Sequence, residues 1–302
     1  MTYAKEFLHA FALACPTDQT CLEMDRGQAR CPVCEQSYAC SENIWRFLDN
    51  HAASFQNFLD VYRAVRRAEG WGAQDAAYYI NLPHLARGNP HAAIWRVRAA
   101  SFSKLLALIE PRARILDVGA GNCWLAYQLT QRGHHVAAVD LNDDAEDGLG
   151  AQKFYPLPLY CYQADFDRLP FAAAQFDAVI FNASLHYSQN PAHTVNEALR
   201  VLKAHGKIIV MDSPLYRHRA SGKAMLRDKA REFKTRFGLE MDATPRGFLT
   251  FDDFDKLPCH WQWHVSHVDL RWALRPLRAR VLGQREPAQF GVMVGTPSTA
   301  HM

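Results

Sequence analysis

The sequence predicts an α/β protein built on a mostly parallel sheet covered by helices on both faces. Three observations carry that prediction. Short apolar strands alternate with helices from Arg112 to Met211. A glycine-rich turn, Asp117-Val-Gly-Ala-Gly121, joins the first of these strands to the first helix. Three carboxylates, Asp117, Asp140 and Asp165, close three successive strands, so they point to one edge of the sheet, where open α/β sheets bind ligands.

The elements follow in order. Residues 1–50 are rich in cysteine, with short strand-like pieces and no long helical period. Residues 51–110 read as helices: Phe55, Phe58, Leu59, Tyr62 and Val65 recur at spacings of three and four. Gly70-Trp71-Gly72 interrupts that pattern, and a second helix runs from about His91 to Ile109, closed by Pro111. Ile115–Val118, His135–Val139, Leu159–Tyr162, Phe176–Phe181 and Lys207–Met211 read as strands. Trp124–Arg132 and Pro191–Ala204 read as the helices between them. Further on, Ser221–Phe237 is a basic helix and Thr250 caps a short helix reaching Leu257. Trp261–Leu270 and Ala288–Gly295 are strand-like and suit an antiparallel pair at the sheet edge. The chain therefore divides into a module over 1–50, a helical linker or cap over 51–110, and a main domain over 111–302 with a basic helical insertion at about 214–258.

Composition bounds the class. Of 302 residues, 49% are hydrophobic and 22% charged, the balance of a globular protein with a sizeable core. A net charge of +3 decides no partner, but residues 214–285 hold 15 Lys and Arg against 8 Asp and Glu. No apolar run approaches the roughly 20 residues of a membrane span, so no membrane partner is expected. The apolar start Phe7–Cys15 is short and carries His9, which reads as ordinary chain and not an export signal. A cytoplasmic location is the expectation that follows.

Five of the 8 cysteines lie in the first 40 residues: Cys15, Cys21, Cys31, Cys34 and Cys40. In a reducing compartment such a cluster favours a metal over disulfides. Cys31-Pro-Val-Cys34 is a C-x-x-C knuckle whose two thiolates can reach one tetrahedral zinc. Cys15 begins a second half, in which Asp18 has the knuckle spacing and Cys21 the thiolate that zinc prefers. The expected ligands of a structural zinc are Cys15, Cys21, Cys31 and Cys34, with Asp18 as the alternative to Cys21 and Cys40 as a spare. Cys123, Cys161 and Cys259 read as small buried hydrophobes.

The glycine turn narrows the ligand. A dinucleotide fold wants G-x-G-x-x-G so that a pyrophosphate meets the helix N-terminus; here Trp124 stands at the third glycine's place. Asp140 suits the two hydroxyls of a ribose, and Asp165 beside Phe166 suits the amine and ring face of an adenine. With these residues in order, Ile115–Asp212 resembles the class I S-adenosylmethionine-dependent methyltransferases, whose sheet is Rossmann-like. Ile115-Leu-Asp-Val-Gly-Ala-Gly121 is similar to that family's first motif, Val139-Asp140 to the second, Ala164-Asp165-Phe166 to the third and Phe176–Asn182 to the fourth. One departure is Cys123, where many members have a third glycine. Residues 13–48, with the tail Asn43-Ile-Trp-Arg-Phe-Leu48, resemble the zinc-ribbon modules that precede some methyltransferase domains.

The resemblance implies S-adenosylmethionine as cofactor. It implies that Asp117, Gly119, Gly121 and the adjoining Asn122 surround its methionine part, and that Asp140, with Leu141 next to it, binds the ribose. Asp165 and Phe166 hold the adenine, and Asn182 sits by the sulfonium. After the fourth strand, Asn182-Ala-Ser-Leu-His-Tyr187 lacks the Pro-Pro signature of nucleic-acid amino methyltransferases and looks more like small-molecule enzymes. His186 and Tyr187 are the candidate catalytic residues; His186 is either a general base or packing over the cofactor. Arg98 is either a bidentate partner of the cofactor carboxylate or a surface residue. The expected acceptor is a small molecule. The alternative is an RNA base, served by the zinc ribbon and by Arg227, Lys229 and Arg231 of the basic helix. A third class binds the cofactor without transferring methyl.

Overall fold

The computed structural model describes residues 10–25, 27–48, 52–72, 74–238, 247–266 and 269–298. Residues 7–9 of the apolar start lie outside the described residues. Four short strands open the chain: β1 (Glu23–Asp25), β2 (Gln28–Arg30), β3 (Ser37–Ser41) and β4 (Ile44–Arg46). Three helices follow, α1 (Ala52–Ala68), α2 (Ala76–Asn81) and α3 (Ala92–Leu106). The alternating core comes next: β5 (Arg114–Val118), α4 (Trp124–Thr130), β6 (His135–Asp140), β7 (Tyr160–Gln163), β8 (Phe176–Asn182), α5 (Pro191–Val201) and β9 (Leu202–Met211). The remainder is β10 (Leu215–Tyr216), α6 (Arg219–Phe237), β11 (Leu249–Thr250), α7 (Phe251–Phe254), β12 (Cys259–Val265), α8 (Leu270–Ala273), α9 (Arg275–Val281) and β13 (Gly291–Pro297).

One sheet of 11 strands runs β1-β2-β3-β4-β7-β6-β5-β8-β9-β13-β12. β4, β7, β6, β5, β8 and β9 are mutually parallel, whereas β13 pairs antiparallel with both β9 and β12. The expected antiparallel pair at the edge is therefore present. Because side chains alternate along a strand, the sheet buries two separate cores. Leu116, Val118, Val139, Val179 and Val210 face α5 and the cysteine-rich segment. Ile115, Val136, Ala138, Ile180 and Ile209 face α2, α3 and α4.

Two expectations need correction. The helix from Pro191 stops at Val201, not Ala204, because Leu202 takes extended backbone and pairs with Phe176. The strand from Trp261 ends at Val265, and Leu270 begins a helix whose N-terminus is capped by the Asp269 side chain. In the cysteine-rich segment β4 pairs in parallel with β7 and carries the sheet on into β3, β2 and β1. Ile44 and Trp45 on that strand are fully buried.

Candidate active site

The site grows from the turn after β5. Gly119 and Ala120 donate their N–H groups to the Val139 carbonyl at 2.8 and 3.0 Å, which ties the turn to the end of β6. Gly119 has φ +74, and a Cβ there would lie 2.2 Å from Ser184 Cβ, so only glycine fits. Gly121, at φ +52, is different: a Cβ would meet nothing within 4 Å, leaving its backbone open to a ligand. Cys123 holds the N-cap of α4 in left-handed backbone, φ 63. That is a conformation glycine adopts most easily, which accounts physically for glycine at this place in other chains. Trp124 packs edge-on against Trp95 and Phe102 at 5.4 and 5.7 Å, so it anchors α4 to α3.

A cavity of about 420 Å³ opens at the carboxyl ends of β5, β6 and β8. Ten of the residues expected at the site line it: Arg98, Gly119, Gly121, Asn122, Asp140, Leu141, Phe166, Asn182, His186 and Tyr187. Asp140 accepts the Gly121 N–H on Oδ2 and the Asn142 N–H on Oδ1, both at 2.7 Å. Each oxygen keeps a lone pair for a ligand donor. Burial raises the Asp140 carboxyl to about 6. Asn182 Oδ1 is buried without a hydrogen-bond partner.

Two expected residues stand elsewhere. Asp117 does not line the cavity; it is fully buried, and neither oxygen has a partner. Burial first, and Asp140 second, push its carboxyl up to about 8. Asp165 lines a smaller neighbouring cavity of about 160 Å³ with Tyr38, Phe47 and Arg168. Its Oδ1 accepts the Asp167 N–H at 3.0 Å, which caps the turn after β7 and turns the carboxylate from the main cavity. Its neighbours Ala164 and Phe166 line the main cavity instead. The orphaned buried oxygen of Asn182, the open backbone at Gly121 and the free lone pairs of Asp140 together fit a nucleoside-like ligand rich in donors.

The other half of the cavity is aromatic and charged. Phe58 and Tyr62 of α1 meet Tyr187 edge-on at 6.1 and 5.9 Å. The Arg98 guanidinium lies over the Trp95 ring at 4.5 Å, half-buried, with no ion-pair partner among the described residues. Burial, then Arg66, lowers its pKa. His186 is buried, and Nδ1 lies 3.1 Å from Ser213 Oγ. Burial, then the nearby Lys229 charge, lowers His186 to about 3, so the imidazole is neutral at neutral pH.

Sequence reasoning missed Asp212, Arg66 and Lys229, which also line the cavity. Asp212 directly follows β9 and Asp140 ends β6, so the same strand-end logic applies to both. Its Oδ1 accepts the Ser101 hydroxyl at 2.6 Å, while Oδ2 is buried and unpartnered. Burial raises its carboxyl to about 6. Asp212 and Ala183, side by side at the cavity, both have left-handed backbone, φ 56 and 54. Such non-glycine strain of roughly 1–2 kcal/mol per residue concentrates at functional sites. Lys229 belongs to the basic helix but pairs with Glu69 at 3.5 Å beside the cavity.

At the cysteine-rich end, the ligand atoms of Cys15, Asp18, Cys31 and Cys34 all lie within 4.8 Å of one another. Cys21 is not in this group; Asp18, the alternative to it, is. Two matching turns explain it. Cys15 N–H reaches Thr20 O and Gln19 N–H returns to Cys15 O; Cys31 N–H reaches Gln36 O and Glu35 N–H returns to Cys31 O. Gln19 and Glu35 both have φ 62. In this pair of knuckles Asp18 is the counterpart of Cys34, while Cys21 is exposed and bridges back to Ala14. Three sulfurs and one carboxylate oxygen are a tetrahedral zinc donor set.

Residues 116–210 match the family described as methyltransferase domain. The sheet has the α/β, Rossmann-like methyltransferase fold. Among curated proteins, malonyl-[acyl-carrier protein] O-methyltransferase of Erwinia pyrifoliae is 29% identical over 100 residues, covering 32% of this chain and 36% of that protein. A ubiquinone/menaquinone biosynthesis C-methyltransferase of Rhizobium etli is 29% identical over 110 residues, covering 34% and 42%. The chain thus spans well under half the length of these relatives. Among solved structures, the plantazolicin methyltransferase BpumL, in complex with a monoazolic desmethylPZN analog and SAH, is 13% identical, covers 82% of this chain and 94% of its own, and has a TM-score of 0.48. An S-adenosylmethionine dependent methyltransferase from Mesorhizobium loti is 20% identical, covers 65% and 96%, and has a TM-score of 0.43.

Proposed function

We propose that the protein transfers a methyl group from S-adenosylmethionine to a small-molecule acceptor. One observation carries this reading: the segment that matches the methyltransferase-domain family brings Gly119, Gly121, Asp140, Phe166 and Asn182 around one cavity at the strand ends. Bound there, the cofactor supplies an electrophilic methyl on a sulfonium. Asp140 accepts the ribose hydroxyls and Phe166 covers the adenine. Gly119, Gly121 and Asn122 serve the methionine part, Arg98 its carboxylate, and Asn182 the region of the sulfonium. Phe58, Tyr62 and Tyr187 form the wall for a planar acceptor.

His186 is a poor proton acceptor at a pKa of about 3. In this reading it is a neutral hydrogen-bonding wall, and Asp212, with Oδ2 free and a carboxyl near 6, receives the acceptor's proton. A small molecule is favoured over RNA because the basic helix spends several charges internally. Arg231 pairs with Asp228, Arg236 with Glu232 and Lys229 with Glu69. Cys15, Asp18, Cys31 and Cys34 hold a structural zinc.

Calorimetry tests the core of this proposal. S-adenosylmethionine and S-adenosylhomocysteine should both bind, and Asp140→Ala should weaken each by about tenfold or more, the worth of charged hydrogen bonds. No binding to the purified protein overturns the proposal. With labelled cofactor and a panel of phenols, enols and amines, Asp212→Asn should cut transfer about a hundredfold while keeping cofactor affinity. An equal loss in His186→Gln and Asp212→Asn would return the base to His186.

A further inference from the structure

The segment after β12 carries an outward face that neither the fold nor the cavity uses. α8 and α9 are joined by Leu274, whose backbone is itself helical (φ −83, ψ −5), and hydrogen bonds from Leu274 N to Leu270 O and from Arg278 N to Leu274 O run through the junction. Leu270–Val281 is therefore one nearly continuous helix. Leu270, Leu274, Leu277 and Val281 recur at i, i+4, i+7 and i+11, a stripe about 60° wide. All four point to solvent, with Leu270 75%, Leu277 60% and Val281 76% exposed. Isolated exposed leucines are ordinary; a continuous row of them is not.

The charges around the stripe have one sign. Arg271 and Arg278 flank it on one side and Arg280 on the other, and none has an acidic partner among the described residues. No Asp or Glu occurs between Asp269 and Glu286. The opposite face of the helix packs inward. Ala279 is buried, and Trp272 lies 6.0 Å from Phe290, itself part of the cavity wall. Arg275 closes over Trp272 at 3.5 Å.

We propose that this helix docks the protein in the plane of an anionic lipid surface, with the leucine row inserted between the acyl chains and the flanking arginines on the headgroups. The charge pattern selects that occupant. An apolar row edged by cations on both sides is the arrangement that lies in a bilayer interface, where aliphatic burial and attraction to anionic lipid act together. A second copy of the chain fits badly, since two such faces would bring unpaired arginines against each other with no carboxylate in the segment to offset them. No described helix is long and apolar enough to cross a membrane, and in-plane docking needs none. The opposite face of the docked helix, through Trp272, rests on Phe290 of the cavity wall.

Co-sedimentation with vesicles tests this on the full chain. Vesicles of phosphatidylcholine and phosphatidylglycerol in equal parts should carry down at least about ten times more protein than phosphatidylcholine alone, and the excess should fall as salt is raised. Leu274→Asp with Leu277→Asp should abolish the excess, and Arg271→Gln with Arg278→Gln and Arg280→Gln should reduce it about tenfold or more. All these positions are exposed, and unchanged melting temperatures would exclude misfolding as the cause. Equal recovery on both vesicle types overturns the proposal, as does no recovery on either. Sedimentation velocity showing a dimer that Leu277→Asp dissociates assigns the face to a second copy and also overturns it.

Discussion

At the residue scale, Asp117 is the group whose chemistry is most displaced from that of a free side chain. Its carboxyl sits near 8 because it is fully buried and near Asp140. In the unfolded chain it returns to about 3.9. Between those values the folded protein holds the proton more tightly than the unfolded chain does, so stability falls as pH rises through that window. Asp140 and Asp212, both near 6, act in the same direction. Comparing wild type with Asp117→Asn isolates one contribution, since an asparagine does not titrate. Thermal melts from pH 5 to pH 8 should show wild type losing on the order of a few kcal/mol relative to the variant. Parallel pH profiles for the two proteins would remove Asp117 from this role. The presence of Gly119, Gly121 and Asp140 at the site was legible in the sequence because a strand end and a tight turn are local features. Which way Asp165 points was not, since the turn that captures its carboxylate depends on the Asp167 N–H.

At the scale of elements, α1 is a wall of the cavity latched to the loop after β6. Arg63 binds Asn142 and Asp143, Arg66 makes a two-bond pair with Asp147 at 2.5 and 2.7 Å, and Arg67 reaches Asp144. Arg46, from β4, holds the other oxygen of Asp143. This loop begins at Asp140, so the latch holds the Asp140 side of the cavity against the aromatic wall. The members differ in worth because they differ in burial. The Arg66 and Asp147 side chains are 18% and 12% exposed, whereas Arg67 is 72% exposed. Breaking the buried pair leaves Asp147 uncompensated, at a cost of about 3 kcal/mol or more, while the exposed pair is worth under about 1. Arg66→Gln should therefore lower the melting temperature and weaken S-adenosylmethionine binding, and Arg67→Gln should do neither measurably. Similar melting curves and affinities for the two variants would dismiss the latch. The helical period of α1 was readable from Phe58, Leu59 and Tyr62, but its arginine face was not. Those partners lie about 80 residues away, and a periodic pattern gives no distance information.

At the scale of the whole molecule, the cysteine-rich segment and the cofactor edge share one sheet. β4 pairs with β7, Arg46 bonds Gln163 and Asp143, and Phe47 donates its N–H to Gln163 O. This continuity was hidden from sequence because a parallel pairing between Trp45 and Tyr162 joins segments that no local pattern connects. The place of Asp18 in the cluster was concealed differently: thiolate preference favoured Cys21, but turn geometry brings Asp18 to Cys15, Cys31 and Cys34. Cys15 Sγ lies 3.5 Å from Cys34 Sγ and Cys31 Sγ 3.3 Å from Asp18 Oδ2, so the four ligand atoms crowd together. If they hold zinc as proposed, metal binding and folding of this edge are one event. The purified protein should carry one zinc. Chelation should lower the melting temperature and also weaken S-adenosylmethionine binding several-fold, since loosening β4 releases Arg46 from the loop after β6. Asp18→Ala should reproduce both effects, and Cys21→Ser should leave zinc content, stability and affinity as they are. A loss of zinc in Cys21→Ser but not in Asp18→Ala would restore the four-cysteine site. Unchanged cofactor affinity in the chelated protein would uncouple the metal end from the active site.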